Sequence, residues 1–382
     1  MSLSRRKTLA LVGGGVILAA AGATSYTVTR QPRTALTPWQ TAGGYDEIRR
    51  KALSFALLAP NPHNRQPWLV DLVGEDQVVL YADLQRLLPQ TDPYGRQITL
   101  GLGGFLELMR MAAAQDGYQV ELALFPEGEN PATLDGKPIA RAVFRADPAV
   151  QPDPLFAHVL ARRSLKEPYD TARPVAPNLL ELLAASTISG SRFGGSIQPE
   201  DIGRFRALTR EALRIEIETP RSYQESVDVF RIGHREVDAN PDGIDFTGPL
   251  FETLSLLGLF SREVALDPAS SAYKAGVDAV FANADTAMGH VWLVSSTNTR
   301  RDQINAGADW LRVNLAATGN GLGTQPLSQA LQEYPEMAGL YAEVHDRLAP
   351  AGGTVQMLAR IGYGPPVSPS PRWPLEAKFV ET

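Results

Sequence analysis

Side chains that could bind a heteroaromatic ligand are concentrated between Ala59 and Trp68. The stretch reads Ala-Pro-Asn-Pro-His-Asn-Arg-Gln-Pro-Trp. Its prolines restrict the backbone and so preorganise the polar residues between them. Amide side chains donate and accept hydrogen bonds, which suits a ring edge that carries carbonyls and nitrogens. The alternative is an ordinary helix-to-strand turn, where these residue types are common. The candidate binding residues in this stretch are Pro60, Asn61, Pro62, His63, Asn64 and Gln66.

A second candidate site is the basic pair Arg162-Arg163 followed by Ser164. Guanidinium groups bind phosphate bidentately and keep their charge, and a neighbouring hydroxyl adds a further hydrogen bond. This group of residues therefore predicts an anion site. The alternative is a solvated run of charge at the end of a short helix.

A third stretch, Gly321-Leu322-Gly323, lies near the carboxyl end of the chain. Glycines let a backbone approach a planar ring closely, and a backbone N–H there can donate to a ring nitrogen. The alternative for Gly321 is the cap of a preceding helix.

Alternating helical and strand-like patterns surround these stretches. Helices are predicted over 45–59, 96–116, 153–161, 177–186, 201–217, 302–318 and 327–333. Strands are predicted over 70–73, 78–81, 118–125, 140–145, 290–295 and 354–361. A long alanine-rich helix followed by glycine and a strand occurs twice, which indicates an internal duplication. Residues 219–275 show no clear period, and the proline-rich tail from 362 to 374 is predicted to run extended over the surface.

Composition narrows the classes of function. The chain has 382 residues, 44% of them hydrophobic, with a net charge of −6. An acidic chain without a basic cluster beyond its first residues argues against nucleic acid as a partner. The chain has no cysteine, which excludes disulfides and thiolate chemistry, and its five histidines are scattered without ligand spacing. We therefore expect a small-molecule substrate and no metal.

The first residues have the pattern of a targeting segment. Arg5, Arg6 and Lys7 precede an apolar run from Leu9 to Ala23 with small residues at its end. The pattern resembles a twin-arginine export signal, so residues 1–30 are predicted to be a signal and linker, and the protein to be periplasmic or associated with the cell envelope. The alternative is an uncleaved membrane anchor, which would be the chain's only contact with a membrane.

The three stretches together resemble motifs of the nitroreductase family of flavin enzymes. The family's Asn-x-Gln-Pro-Trp is matched by Asn64 to Trp68, with Asn61 in place of a serine. Arg162-Arg163-Ser164 with the following Tyr169-Asp170 resembles the family's Arg-Arg-Ser opening, although Glu167 replaces its second arginine. The Gly-Leu-Gly motif is present, and the end of the chain resembles the family's closing motif, which places Arg372 at its last arginine.

This resemblance implies an α+β nitroreductase-like fold that binds FMN. It assigns Arg162, Arg163, Ser164 and Arg372 to the flavin phosphate, and the backbone of Pro326, Leu327 and Ser328 to the reactive nitrogen of the ring. It implies no catalytic side chain, since the flavin carries the redox chemistry. His63 is a candidate proton donor, and the alternative is a packing or hydrogen-bonding residue.

The order of the motifs suggests two fused units. In the family, Arg-Arg-Ser precedes Asn-x-Gln-Pro-Trp in a chain about half this long, and two chains share each flavin. Here the order is reversed, as in the Acg branch of the family, whose members fuse two such units around one flavin site. A circular rearrangement is the alternative. Residues 31–150 and 151–382 would form two pseudo-symmetric α/β halves, with 219–275 as a lid, and the protein would be a monomer.

The function implied by the resemblance is flavin-mediated transfer of hydride to a nitroaromatic, quinone or similar acceptor, with NAD(P)H as the reductant. A different class of function, flavin sequestration or storage without turnover, is also consistent with export and with a lid. A third alternative is a relic of the fold that binds nothing.

Overall fold

The computed structural model describes residues 31–380, so the predicted export signal lies outside the described residues. The predicted α+β class is confirmed: helices pack on two antiparallel sheets of four strands each. The α-helices are α1 (Thr37–Thr41), α2 (Ile48–Ala56), α3 (Arg96–Ala114), α4 (Pro177–Ala185), α5 (Pro199–Glu218), α6 (Pro220–Asp228), α7 (His234–Ala239), α8 (Pro249–Leu256), α9 (Arg262–Leu266), α10 (Ser271–Asp285), α11 (Arg300–Gly319) and α12 (Ala338–Leu348). The strands are β1 (Trp68–Val73), β2 (Gln77–Ala82), β3 (Tyr118–Leu124), β4 (Ala140–Ala146), β5 (Arg192–Ser196), β6 (Phe230–Ile232), β7 (Ile244–Phe246), β8 (Gly289–Ser295), β9 (Gly323–Pro326) and β10 (Thr354–Gly362).

The two large sheets have the same topology. The first has the order β1-β2-β4-β3 and the second β5-β8-β10-β9. In each, the first two strands precede a long helix, α3 or α11, and the last two follow it. The second half differs because α5 to α10 and the small parallel sheet β6-β7 lie between its first and second strands. The two sheets therefore repeat one topology, while the internal duplication and the boundary near residue 150 stay predictions.

The helices α3 and α11 pack against each other at the centre of the molecule, and both are buried along most of their length. The start of α3 is fixed by Asp92, whose carboxylate accepts the backbone N–H groups of Gln97 and Ile98 at 3.0 and 2.9 Å. The start of α11 is fixed by a capping box between Thr299 and Asp302. Local sequence therefore determines where both central helices begin.

Three predicted segments differ in the structure. The predicted helices 153–161 and 327–333 are short 3-10 turns, Pro154–His158 and Ser328–Leu331. At the second turn, the backbone N–H of Leu327 donates to Leu358 on β10, so strand-like pairing continues where helix was predicted. The helix predicted over 45–59 is α2 and begins at Ile48. The Glu47 carboxylate accepts the N–H groups of Arg49 and Arg50 and so caps the helix there.

The prediction that the carboxyl-terminal tail lies over the surface is wrong in its last part. The tail leaves the second half and returns to the first, where Val380 donates its N–H to Val70 on β1 at 2.9 Å. Arg372 and Lys378 are 1% and 2% exposed. Both side chains donate to backbone carbonyls of the first half, and these hydrogen bonds hold the tail inside.

Residues 219–275, hereafter the insertion, form a compact layer of short helices around β6 and β7. Their aromatic rings make a small apolar cluster, in which Phe246 lies 5.0 Å from Phe260 and 5.1 Å from Phe251 between ring centroids. The insertion also binds the Ala59–Trp68 stretch: Gly243 donates its N–H to Asn64, and Arg65 pairs with Asp242 at 3.0 Å. The insertion thus covers that stretch.

Candidate functional site

The stretch from Ala59 to Trp68 is a tight, preorganised loop. The backbone of this loop has φ values of 47°, 52° and 51° at His63, Asn64 and Gln66, and residues other than glycine seldom adopt such values. Asn61 stabilises this conformation, since its Oδ1 accepts the N–H of Gln66 at 2.7 Å and its Nδ2 donates to Ala59 at 3.1 Å. Unusual backbone angles held by internal hydrogen bonds are typical of loops built to position a ligand.

Gln66 connects three segments of the chain. Its side chain is fully buried. Its Nε2 donates to the carbonyl of Pro241 in the insertion at 2.7 Å, and its Oε1 accepts the N–H of Trp373 in the tail at 2.9 Å. Lys378 donates to its backbone carbonyl at 2.9 Å. The amide predicted to contact a ring edge is therefore engaged with protein.

Arg372 holds the same loop from the other side. Its Nε donates to Leu57 at 2.7 Å and its Nη2 to Ala59 at 3.2 Å, which satisfies carbonyls just beyond the end of α2. Its Nη1 donates to the Oδ1 of Asn64, and Asn64 in turn donates to Pro371 at 3.0 Å. The N–H groups of Arg372 are thus directed at protein acceptors. Its predicted contact with a phosphate stays a prediction.

Arg162, by contrast, uses only part of its N–H groups in hydrogen bonds to protein. It is 3% exposed, its Nη2 donates to Leu58 at 3.0 Å, and its buried Nη1 has no hydrogen-bond partner among residues 31–380. Arg372 reaches the same carbonyl of Leu58 at 3.4 Å. Burial, and secondarily the charge of Arg163, lower the pKa of Arg162 to about 10. Burial and then the charge of Arg162 lower the pKa of Arg372 to about 9. Buried positive charges this close to each other make a strong site for an anion.

Arg163 and Ser164 lie beside this pair. The guanidinium carbon of Arg163 is 4.6 Å from the centre of the Trp39 ring, and no described residue accepts a hydrogen bond from its buried Nε. Burial also lowers the pKa of Arg163. Ser164 is partly buried. The next residue, Leu165, donates its N–H to Thr324 on β9 at 2.9 Å, which joins this segment to the Gly-Leu-Gly stretch.

The structure adds two residues that sequence patterns did not single out, Lys166 and Asp245. Both side chains are exposed, yet desolvation is the main perturbation of each: it lowers the pKa of Lys166 and raises the pKa of Asp245. Each of these charges also acts on the pKa of the other, so the two side chains lie near each other, and we call the place that they border the recess. His63 faces the same charges, since burial and then Lys166 lower its pKa to about 4. Asp245 belongs to the insertion, where no periodic signal could have identified it.

The segment after Gly-Leu-Gly is hydrogen-bonded to β10 of the second sheet. Leu327 is buried and its N–H donates to Leu358 at 3.0 Å, while the Ser328 hydroxyl donates to the same carbonyl at 3.1 Å. Pro326 ends β9, opposite Ala359. The N–H of Leu327 is therefore used by the sheet, and a contact between residues 326–328 and a ring stays a prediction.

The alternative for Gly321 is confirmed. It follows α11 with φ +66°, its N–H donates to Thr318, and the N–H of Leu322 donates to Ala317. This is the hydrogen-bond pattern of a glycine helix cap. Gly323 has a separate requirement, since an added Cβ would lie 2.5 Å from a methyl group of Leu165. Glycine there allows the Arg162–Leu165 segment to approach β9.

Residues 31–380 contain neither a cluster of metal ligands nor a helix that could span a membrane. No three acidic or histidine side chains in this range are grouped so that they could hold a metal ion. No helix in this range is long and apolar enough to cross a bilayer.

No family model matches the chain, but it is similar to several individual proteins. A protein of Mycobacterium tuberculosis named "Putative NAD(P)H nitroreductase" is 26% identical over 332 residues, which are 85% of this chain and 89% of that protein. A second protein of that organism with this description, named acg, is 32% identical over 148 residues, 37% of this chain and 41% of its own.

Solved structures that resemble the chain carry similar names. A "putative nitroreductase" from Anabaena variabilis covers 87% of this chain and 91% of its own, with 12% identity and a TM-score of 0.44. The FMN-dependent nitroreductase NfnB from Mycobacterium smegmatis, solved in complex with NADPH, covers 58% of this chain and 95% of its own, with 15% identity and a TM-score of 0.34.

Proposed function

We propose that the protein is an FMN-dependent oxidoreductase of the nitroreductase type, which uses NAD(P)H to reduce a nitroaromatic, quinone or similar acceptor. The observation that carries the proposal is the buried Nη1 of Arg162, which lies among three arginines and has no partner in the described part of the chain. A buried guanidinium without an acceptor is costly, and the phosphate of FMN would supply one. The relatives' description as NAD(P)H nitroreductases agrees with this assignment.

The residues present fit FMN. Arg162, Arg163 and Ser164 would hold the phosphate, and the positive charge of Arg372 would assist while its hydrogen bonds fix the loop. The recess lined by His63, Lys166 and Asp245 would take the ring, with the backbone of residues 326–328 as its wall. When bound, FMN accepts and donates hydride at its ring nitrogen. The chain would position the reactants and control the access of water.

The insertion would act as the lid of this site. It brings Asp245 to the recess and places the Ser226 hydroxyl 3.1 Å from Nε2 of His63. Because the insertion is bonded to the loop through Gln66 and Arg65, it would cover the ring while the flavin is bound.

One flavin per chain follows from the difference between the halves. The place in the second half that corresponds to the Ala59–Trp68 loop is the connection between α4 and β5. There the buried Asp309 carboxylate accepts the N–H groups of Ile188, Ser189 and Ser191 at 2.8, 2.8 and 3.0 Å. A carboxylate in that position would repel a phosphate. A single chain with both halves would need no partner subunit, so we propose a monomer.

Export by the twin-arginine route and membership of the Acg branch belong to the same proposal. They are supported by the sequence of residues 1–30 and by the reversed order of the motifs. The order fits two fused units, as does the repeated topology of the sheets.

The test is an absorbance spectrum of the purified protein, followed by anaerobic addition of NADPH and of NADH. A yellow protein that bleaches with either supports the proposal. A yellow protein that bleaches only with dithionite indicates sequestration or another donor. A colourless protein that cannot be loaded with FMN overturns both functions.

A further inference from the structure

The insertion carries exposed leucines along α8 and in the turn that follows it. Leu250, Leu256, Leu257 and Leu259 are 65%, 84%, 65% and 56% exposed. Leaving a leucine in water forgoes about 1.5–3 kcal/mol of burial energy. Four such residues within ten positions make a surface of the kind that marks an interaction site. We call these four residues the leucine tip.

The leucine tip stands on an ordered base. Phe251 and Phe260 pack on each other with ring centroids 5.5 Å apart, and Phe260 is buried. The turn after α8 is closed by a hydrogen bond of 2.8 Å from the N–H of Leu259 to Leu254, with Gly258 at φ +69°. The aromatic residues around this turn thus face inward while the leucines face out.

The amino-terminal part of the chain enters the structure beside the same helix. Asp238 of the insertion accepts the N–H groups of Arg33, Thr34 and Ala35 at 2.9, 2.9 and 3.0 Å. Gln31 lies near Gly248, the residue before α8, with its Nε2 3.7 Å from the position of an added Cβ. The eight residues of α8 span about 12 Å, so the chain enters within that distance of the leucine tip along the helix.

We propose that the leucine tip docks on a lipid bilayer. Exposed aliphatic side chains can enter the boundary between headgroups and acyl chains, as amphipathic surface segments do. The apolar run from Leu9 to Ala23 is joined to the described structure through residues 24–30, which reach about 24 Å at most. With this run uncleaved, which is the alternative to a removed signal, the tip and the run can meet the same membrane. Docking at the tip provides a second attachment and gives the protein one orientation.

The docking has a consequence for the acceptor, which rests on the proposed function. The insertion contains both the leucine tip and Asp245 of the recess. Bilayer contact therefore brings the recess close to molecules dissolved in lipid. Among the proposed acceptors, a lipid-soluble quinone is the class that this orientation favours.

The absence of cysteine from the chain allows a clean test. The full-length protein carrying Leu256→Cys is labelled with an environment-sensitive fluorophore and added to vesicles of phosphatidylethanolamine and phosphatidylglycerol. Ile188→Cys, at a residue 59% exposed on the connection between α4 and β5, is the matched control. We expect a blue shift at position 256 and quenching by brominated lipid about fivefold stronger than at position 188.

Three outcomes overturn the proposal. Equal quenching at both positions shows that the tip does not dock. A blue shift that needs no vesicles and is independent of protein concentration means that the chain's own amino-terminal segment covers the tip. A shift that grows with protein concentration means that a second copy covers it. The measurement needs no flavin, so its failure is distinct from failure of the proposed enzyme function.

Discussion

Gly103 of α3 and Gly307 of α11 occupy equivalent positions where the two central helices cross. A Cβ added to Gly103 would lie 2.0 Å from the carbonyl oxygen of Ile304, and one added to Gly307 would lie 1.9 Å from that of Leu100. Each glycine therefore faces the carbonyl three residues before the other, the reciprocity of a two-fold interface. Arg96 and Arg300 are the first residues of the two helices, and they are as many residues apart in the chain as Gly103 and Gly307. A two-fold relation between the halves is thus built into one chain.

This crossing should not tolerate a methyl group. Gly103→Ala or Gly307→Ala should lower the free energy of unfolding by about 3 kcal/mol or more, because backbone on both sides must move apart. Urea denaturation would measure the change. Gly203→Ala and Gly276→Ala are the controls, since both lie in helices with open space around the added Cβ. They should be neutral or stabilising by up to about 1 kcal/mol. Equal effects at all four positions would contradict the close crossing.

Arg162 and Arg372 should respond differently to removal. Arg162→Met should weaken FMN binding by about tenfold to a hundredfold through loss of a charge-assisted hydrogen bond. It should leave the flavin-free protein as stable as before, since a buried charge with an unpartnered nitrogen is removed. Arg372→Met should instead lower the free energy of unfolding by about 3 kcal/mol, because several carbonyls lose their donor.

Flavin titration and urea denaturation of the flavin-free proteins would separate these two effects. Unchanged flavin affinity in Arg162→Met would refute the phosphate assignment. Unchanged stability in Arg372→Met would refute a structural role for Arg372.

Gln66 should couple the insertion to the rest of the protein. Gln66→Leu leaves the Pro241 carbonyl and the Trp373 N–H without partners, at a cost of about 2–4 kcal/mol. Hydrogen exchange should therefore accelerate in the insertion and in the tail near Trp373, more than in α3. Gln119→Leu on the exposed face of β3 is the control and should change neither. Uniform acceleration through the chain would mean that the insertion does not open separately.

Glu216 should make stability fall as pH rises. It is buried, and burial raises its pKa to about 7, with the charge of Glu225 adding to the effect. Gln332 and Ser226 act in the opposite direction, and the aromatic Tyr334 lies in the same environment. Between pH 4.5 and 7 the folded state holds a proton that the unfolded state releases, so the folded state loses about 3 kcal/mol across this range.

Glu216→Gln should remove that loss and be more stable than the wild type at pH 8, with little difference at pH 4.5. Thermal unfolding across this range would show it. Glu211→Gln on the same helix is the control, because Arg214 lowers the pKa of Glu211 and places its contribution below pH 4.5. An identical pH slope in wild type and Glu216→Gln would contradict the prediction.

The sequence by itself determined the elements whose signals are local. The central helices, the β1-β2 hairpin and the glycine cap after α11 agree with their predictions, since periodicity, capping residues and turn glycines act within a few residues. The motifs around Asn64, Arg162 and Gly321 were likewise visible as residue types at defined spacing. What each motif side chain bonds to was not.

Only the tertiary structure decided which polar groups remain available to a ligand. Arg162 and Arg372 are the same residue type, and the resemblance assigns both to the same phosphate. Yet Arg372 donates to the carbonyls of Leu57 and Ala59, more than 300 residues earlier in the chain. One nitrogen of Arg162, by contrast, has no hydrogen-bond partner among the described residues. The recess at Asp245 and the leucine tip also arise from segments without periodicity. Hydrogen-bond partners and exposure depend on which distant segments meet, and a local pattern carries no information about that.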